Sequence, residues 1–395
     1  MSGATTGKMA TFDIDSPALL NQRVGRFRIL SAEACNPRFI SLLVQQITRQ
    51  VLKKAYGAAQ PNISPTQIEQ IPIPFPPLEE QNAIVAETEK QFTRLEVGVA
   101  GLRRVQANLK RYRAAVLKAA CEGKLVPTEA ELARQEARTY ETGTQLLERI
   151  LTERRQKWNG KRKYKEPAAA DTANLSPIPD GWVWASVEQL STRVQYGTSA
   201  KTNDDSTGVP VLRMGNIQDG KFDFAKLKYL PKAHDEFPEL LLASGDLLFN
   251  RTNSAELVGK TAVFKQTLHP CSFASYLIRV RLCIGCVPDF VSYFINSVFG
   301  RAWIANVVSQ QVGQANVNGT KLQALAIPLP PLAEQTRIVA EVERRLSVVE
   351  ELESVVNANL QRASRLRQSI LQRAFEGQLA NSYRDTTEGA ERLNA

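Results

Sequence analysis

Ile327-Pro-Leu-Pro-Pro-Leu-Ala-Glu-Gln335 is the second appearance of one stretch, whose first is Ile73-Pro-Phe-Pro-Pro-Leu-Glu-Glu-Gln81. A single shift of 254 residues superposes the two, and it also places Asn62 on Asn316, Ile84-Val85 on Ile338-Val339, Glu87 on Glu341 and Glu122-Gly123 on Glu376-Gly377. Roughly a third of the positions across the unit are identical, more than a shared amphipathic pattern produces. The chain therefore holds a duplication. Its period is far longer than a solenoid repeat, so each copy is expected to be a domain followed by a long helix.

The prolines of Ile71–Pro77 exclude a helix or a central strand and predict an extended strap. Leu78-Glu-Glu-Gln81 then supplies acidic residues to a helix N-terminus, where the dipole favours them. A heptad-like seam follows through Thr88, Phe92, Leu95, Val99, Leu102, Gln106, Leu109, Arg113 and Val116. Its copy runs through Val342, Leu346, Val349, Glu353, Val356, Leu360, Ala363, Arg367 and Ile370. Two helices of such length with one seam in one register are expected to bury it against each other, with Leu95, Val99, Leu102, Leu109, Val349, Val356 and Leu360 as pairing residues. Gly123 and Gly377 read as helix C-caps.

Upstream of the first strap, a strand is expected at Arg26-Phe-Arg-Ile-Leu30 and a helix from about Pro37 to Lys54, matching Leu277–Leu282 and a helix from Pro288 in the second copy. The correspondence reaches back only to about Ala262-Val-Phe264, facing Ala10-Thr-Phe12. Residues from Trp182 to Lys260 have no upstream partner, so the first domain is expected to be incomplete. Between the copies, a helix is predicted from about Glu129 to Trp158, ending in the basic run Arg154–Lys165, which reads as solvated surface or, with Trp158 and Tyr164 interleaved, as a phosphate contact. The second domain shows short strands near Gly208–Ile217, Gly245–Arg251 and Leu257–Phe264, then a polar loop over Ser309–Asn318. Strands and helices without strict alternation predict an α+β class.

The 395 residues, 43% of them hydrophobic, suit an ordinary folded protein, and no apolar run approaches the length of about 18 needed to span a bilayer. Five scattered cysteines fit a reducing cytoplasm rather than a disulfide framework. The formal charge of +10 favours polyanionic partners, nucleic acid first. Catalytic motifs are missing. Gly259-Lys-Thr261 lacks the leading glycine of a phosphate loop, since Ser254 stands there, and neither a dinucleotide fingerprint nor a nucleophile elbow occurs. Cys283-Ile-Gly-Cys286 with His269 and Cys271 has zinc-ligand types, but the alternation around it reads as a strand entering a turn, and no metal site is expected. Side chains able to read base edges sit in second-domain loops: Tyr196, Thr198, Ser199, Lys201, Arg251, Asn253, Gln310, Gln314 and Asn316.

The paired straps, the helix endings Ala119-Ala-Cys-Glu-Gly-Lys-Leu125 and Arg373-Ala-Phe-Glu-Gly-Gln-Leu379, and Pro179-Asp-Gly-Trp182, Val211–Ile217 and Gly245–Arg251 together resemble a specificity subunit of type I restriction-modification systems. The resemblance implies two target recognition domains, each reading half of a split double-stranded DNA site, separated by two long helices paired as an antiparallel coiled coil. The expected layout is the C-terminal part of the first such domain at 1–77, the central helix at 78–126 and a basic connector at 127–175. A complete second domain at 176–331, the C-terminal helix at 332–380 and a tail at 381–395 follow. Partners implied are two methyltransferase subunits and restriction subunits; S-adenosylmethionine, ATP and magnesium would bind to them, and this chain would carry neither cofactor nor catalysis. The incomplete first domain is read as a truncation or a misplaced coding start. It leaves two alternatives: self-association of two copies, or a remnant that docks methyltransferase subunits without reading a complete site.

Overall fold

The computed structural model describes residues 9–378 apart from 13, 32, 56–62, 160–162, 255–256, 266–267, 269 and 312–313. Helices α1 (Pro37–Ala55), α2 (Pro65–Glu69) and α3 (Leu78–Cys121) come first, then α4 (Glu129–Gln135) and α5 (Gly143–Gln156). Next are β1 (Val183–Ser186), α6 (Val187–Leu190), β2 (Ser191–Tyr196), β3 (Val209–Leu212), β4 (Ile217–Gln218), β5 (Lys221–Phe222) and β6 (Lys228–Leu230). Strands β7 (Leu247–Asn250), β8 (Thr252–Asn253), β9 (Thr261–Val263), β10 (Ser272–Phe273) and β11 (Leu277–Leu282) lead to α7 (Pro288–Asn296) and α8 (Val298–Val307). The chain closes with β12 (Ser309–Gln311), β13 (Gln314–Asn316), α9 (Gly319–Gln323), β14 (Ala326–Leu329) and α10 (Leu332–Phe375). It divides into a first unit, Met1–Asn108 with Leu352–Ala395, and a second, Leu109–Glu351.

In the first unit α1 turns Phe39, Leu42, Leu43 and Ile47 to one face, the spacing of a helix with a single apolar stripe. That stripe packs on Ile71, Ile84, Phe92, Ile370 and Leu371. The strand expected at Arg26–Leu30 is not formed. Its backbone is irregular, with Phe27 51% and Leu30 94% exposed. The repeat equivalent, β11, is a strand because β2 and β7 pair with it on either side, and among the described residues the first unit supplies no such neighbours.

Every residue of the expected seam is buried or half-buried, while the positions between are mostly exposed. Within the first unit Gln106 Nε2 donates to Asn357 Oδ1 at 3.0 Å, Arg367 pairs with Glu96 at 3.2 Å, and its guanidinium lies 4.0 Å from the centre of the Phe92 ring. Both cross-helix bridges have residue numbers that add to the same total, the mark of antiparallel pairing. Helix α3 ends as the glycine predicts: Gly123 takes φ +68°, Lys124 N–H donates to Ala119 O at 2.8 Å, and Gly123 N–H donates to Ala120 O at 3.4 Å. Gly377 takes φ +75° at the equivalent place.

The last residue of each strap makes the same clamp. Gln81, fully buried, accepts from Asn36 N–H at 2.9 Å and donates to Ala34 O at 3.1 Å and Pro76 O at 2.8 Å. Gln335 accepts from Val287 N–H at 2.8 Å and donates to Gly285 O at 3.4 Å and Pro330 O at 2.9 Å. In each unit one amide thus ties the strap to the turn just before a proline-initiated helix, α1 or α7. A glutamine suits this task because it offers both donor and acceptor to backbone groups that water no longer reaches.

In the second unit the central sheet runs β2-β11-β7-β9, all antiparallel, and β10-β3-β6 forms a second sheet. Two cores result, one under the helices around Phe249, Ile278 and Phe290, the other around Leu248, Phe264 and Phe273. Arg279, fully buried on β11, donates to Leu241 O at 2.8 Å and Glu239 O at 3.0 Å, and lies 3.6 Å from Asp246. Arg281 forms a bidentate pair with Asp246, at 2.7 Å for each bond. Burial holds the Arg279 pKa below its usual value.

Two expectations are corrected here. The helix expected over Glu129–Trp158 is two helices, interrupted where Ala137 takes φ +51° and Thr142 opens α5 with a capping box to Gln145. The polar loop expected over Ser309–Asn318 is instead the hairpin β12–β13, whose second strand pairs with β8.

Candidate nucleic-acid interface

Strand β2 ends at Tyr196, where the chain leaves the central sheet and crosses to the second one. Gly197 allows this crossing, since a Cβ there would lie 2.2 Å from Phe273 O. Thr198 follows, bridged to Ala274, its N–H donating to Phe273 O at 2.9 Å. It is only 2% exposed, so of the residues expected to face a ligand it belongs to the support of the loop rather than to its surface. Ser199 and Lys201 are exposed.

Arg251 stands between β7 and β8, its guanidinium 4.9 Å from the centre of the Tyr196 ring, with Nη1 donating to Ser275 O at 3.2 Å. The Tyr196 hydroxyl accepts from Gly319 N–H at 2.7 Å, which fixes the ring from the side of α9. Ring and guanidinium thereby stand beside the exposed Tyr276, whose carbonyl accepts from Arg251 N–H, while Arg251 Nε is shielded from solvent. A stacked arginine keeps its planar fork of donors, the geometry that matches a guanine edge or a phosphate.

The three-stranded sheet β12-β13-β8 adjoins this stack through Arg251 O, which accepts from Val317 N–H at 2.9 Å. Asn316 lies opposite Thr252 and is half-buried, with Oδ1 shielded from solvent and without a hydrogen-bond partner among the described residues. Asn253, Gln310 and Gln314 sit on its strands, at registers Ala315↔Asn253, Gln310↔Ala315 and Gln311↔Gln314; their side chains lie outside the described residues. The fold therefore gathers Tyr196, Arg251 and Asn316 on three neighbouring elements, and carries the other predicted residues on the strands and loop beside them. Tyr276 was not anticipated; nothing in its local sequence separates it from an ordinary strand residue.

Three basic residues of the connector's run are engaged by protein. Arg154 donates to Glu188 O, Arg155 pairs with Glu166, and Lys157 meets Glu153 at 3.0 Å. Residues 160–162 of that run, and His269 of the cysteine-histidine grouping, lie outside the described residues. Cys283 and Cys286 flank a turn, and burial raises both thiol pKa values.

A buried polar cluster that sequence reasoning missed anchors the start of α10. Trp182 Nε1 donates to Glu334 Oε1 at 2.9 Å, Glu129 N–H donates to Glu334 Oε2 at 2.8 Å, and the Glu129 carboxylate meets Arg138 and Arg337, each at 2.6 Å. Burial pushes the Glu334 carboxyl up, against the two hydrogen bonds. The available signal was the repetition of Glu80-Gln81 as Glu334-Gln335 beside the lone Pro-Asp-Gly-Trp.

Comparison with known proteins agrees with this architecture. The specificity subunit of the type I restriction enzyme EcoKI from Escherichia coli strain K12 is 29% identical over 330 residues, 83% of this chain and 62% of the relative. That of StySPI from Salmonella potsdam is 27% identical over the same shares. The chain thus spans about three fifths of the length of these relatives. A solved chain from work on complex assembly and conformational transition of the type I R-M system superposes with a TM-score of 0.57 at 23% identity, covering 88% of this chain and 72% of that one. The family model for the type I restriction modification DNA specificity domain matches residues 1–96 and 179–360. With both straps and the first part of each long helix inside that match, which takes in more than half of the chain, the chain belongs to the family of type I restriction modification DNA specificity domains.

Proposed function

We propose that this chain is the non-catalytic sequence-reading subunit of a type I restriction-modification complex, and that its second unit reads one half of a split DNA site. The observation that carries this reading is the Tyr196–Arg251 stack, a half-buried arginine held over an exposed tyrosine ring beside polar strands. Methyltransferase subunits, two by the internal repeat, dock on α3 and α10 and the adjoining domains, and restriction subunits join that core. S-adenosylmethionine, ATP and magnesium are held by those partners. The helix pair sets the spacing between half-sites.

Loss of the arginine tests the site directly. Arg251→Ala and Gln314→Ala weaken binding to the specific site by about tenfold or more while leaving random DNA nearly unchanged. Equal losses on both DNAs would assign them to phosphate contact. Methylation-sensitive genome sequencing of cells that express the chain with its methyltransferase subunit tests the whole reading. A new split, asymmetric adenine-methylated motif is expected. A split palindrome would mean that two copies associate and each uses its second unit. The absence of any new motif would favour a protein that docks methyltransferase subunits without reading a complete site; the exposed, strand-free segment around Phe27 and Leu30 is the feature that favours this second reading.

A further inference from the structure

Met214 is an apolar side chain that the second unit's core leaves outside. Strand β3 buries Val211 and Leu212 completely, and Ile217 is buried again on β4. Between them the chain makes one 3₁₀ turn, Met214–Asn216, on which Met214 stands 37% exposed. The turn is fixed from behind. Asn216, itself buried, accepts from Arg213 N–H at 2.9 Å and donates to Asp223 O at 2.7 Å, while its carbonyl accepts from Asp223 N–H at 2.7 Å. One buried amide thus holds both ends of the turn, which is why an exposed side chain on it keeps a defined place.

The sheet directs this turn to the edge where Arg251 stacks. Strand β3 is central in its sheet and runs parallel to β10, with Val211↔Ser272 and Leu212↔Phe273, and Ala274 N–H donates to Leu212 O at 2.8 Å. On the other side of β10, Thr198 pairs with Ala274, also parallel, and its carbonyl accepts from Ser275 N–H at 2.7 Å. Three segments running in one direction deliver their next residues to one edge: Ser199 after Thr198, Ser275 and Tyr276 after β10, Arg213 and Met214 after β3. Arg251 belongs there too, since it donates to the carbonyls of Ser275 and Tyr276. Two strand spacings put the turn roughly 10 Å from Thr198, a separation that one major groove, about 12 Å wide, can take in.

What the turn offers outward is apolar. Arg213 Nη2 is turned back to Lys226 O at 3.1 Å, and Gln218 Nε2 occupies Gly215 O at 3.0 Å. Gly215 is exposed, its φ lies outside the left-handed region, and a Cβ there would meet nothing within 4 Å, so the protein itself has room for a side chain at this position. Arg251, Ser199 and Lys201 bring hydrogen bonds and charge to the edge; Met214 brings a flexible thioether, which suits the methyl group that thymine presents in the major groove. We propose that Met214 is a specificity-determining residue, which packs on the 5-methyl group of one thymine in the half-site read by the second unit. The assignment rests on the reading of that unit as a half-site reader.

The probe is a double-stranded oligonucleotide bearing the motif found by methylation-sensitive sequencing, with each thymine replaced in turn by uracil, which lacks only that methyl group. Binding by the full chain with its proposed methyltransferase partner is followed by fluorescence anisotropy. Uracil at one position is expected to weaken binding about threefold to tenfold. Met214→Ala should lose a similar factor on the thymine site and become indifferent to uracil at that position, while Met214→Leu keeps the discrimination. Gly215→Leu should leave the circular dichroism of the chain unchanged and weaken binding to the motif by at least about tenfold, because the added side chain points into the groove. If Met214→Ala keeps the uracil profile of the unchanged chain while Arg251→Ala still lowers specific binding, the role of Met214 is overturned and the half-site reading stands. Absence of a motif, or of selective binding to it by the unchanged chain, overturns both.

Discussion

The two straps differ in one respect that their sequences hide: Ile327 and Leu329 are buried beneath β1, whereas Ile73 and Phe75 face outward. The clamps behind them do not differ. Gln81 and Gln335 bind three backbone groups each, at the same places relative to the strap and to the helix that follows. The duplication thus fixes the joint between domain and helix, while what lies over the joint depends on chain supplied from elsewhere. Local hydrogen bonding is enough for the first; the second needs a distant strand.

That contrast can be broken by mutation. Trp182→Ala removes a buried indole and should cost the second unit about 3–5 kcal/mol in urea unfolding followed by hydrogen exchange, whereas Phe75→Ala should stay within about 0.5 kcal/mol. Similar losses at both would show that the first strap is covered in solution. Next, an aspartate at Val349 or Val356, 1% and 5% exposed, places an unpaired charge in the seam and should cost about 3 kcal/mol in either unit. Leu102→Asp, at a half-buried position, should cost less but still impair helix pairing and assembly with the proposed methyltransferase partner, read by analytical ultracentrifugation.

Equality is the test for the clamps. Gln81→Ala and Gln335→Ala each strand buried backbone groups and should each cost about 2 kcal/mol; a large difference would mean that one clamp is incidental. Gly123→Ala, at positive φ and against Pro179, should cost more than Gly377→Ala, which meets only the strain of about 1 kcal/mol. The smallest effect has the opposite sign. Thr88 is fully buried with its hydroxyl unpartnered among the described residues, and the repeat places Val342 there, so Thr88→Val should raise the melting temperature slightly, by about 0.5–1 kcal/mol in stability.

What could be read from sequence was whatever is carried by local period or by repetition: the duplication, the seam, the extended first strap, the glycine caps and α1. The break before α5 was not legible, because the capping box of Thr142 with Gln145 is a short local signal inside a stretch of helix-favouring composition. Strands fared worse for a physical reason. Arg26–Leu30 and Leu277–Leu282 have similar patterns, yet only the second has neighbours to complete its ladders. The polar hairpin β12–β13 carries no apolar alternation, because pairing with β8 rather than burial of a face holds it together. Of the candidate site, the residue types and their segments were legible. That Thr198 turns inward while Arg251 stacks on Tyr196 depends on contacts between strands far apart in the chain.

The antiparallel helix pair has a further consequence. The repeat carries Arg103 onto Asn357, and Asn357 bonds to Gln106, one turn from Arg103. Near this point each helix therefore meets its own duplicate, so the contact is self-complementary about a local two-fold axis. A gene encoding a single domain and helix would have produced a protein able to pair with itself through this same face, and fusion of two such genes would leave the interface unchanged while freeing the two domains to diverge.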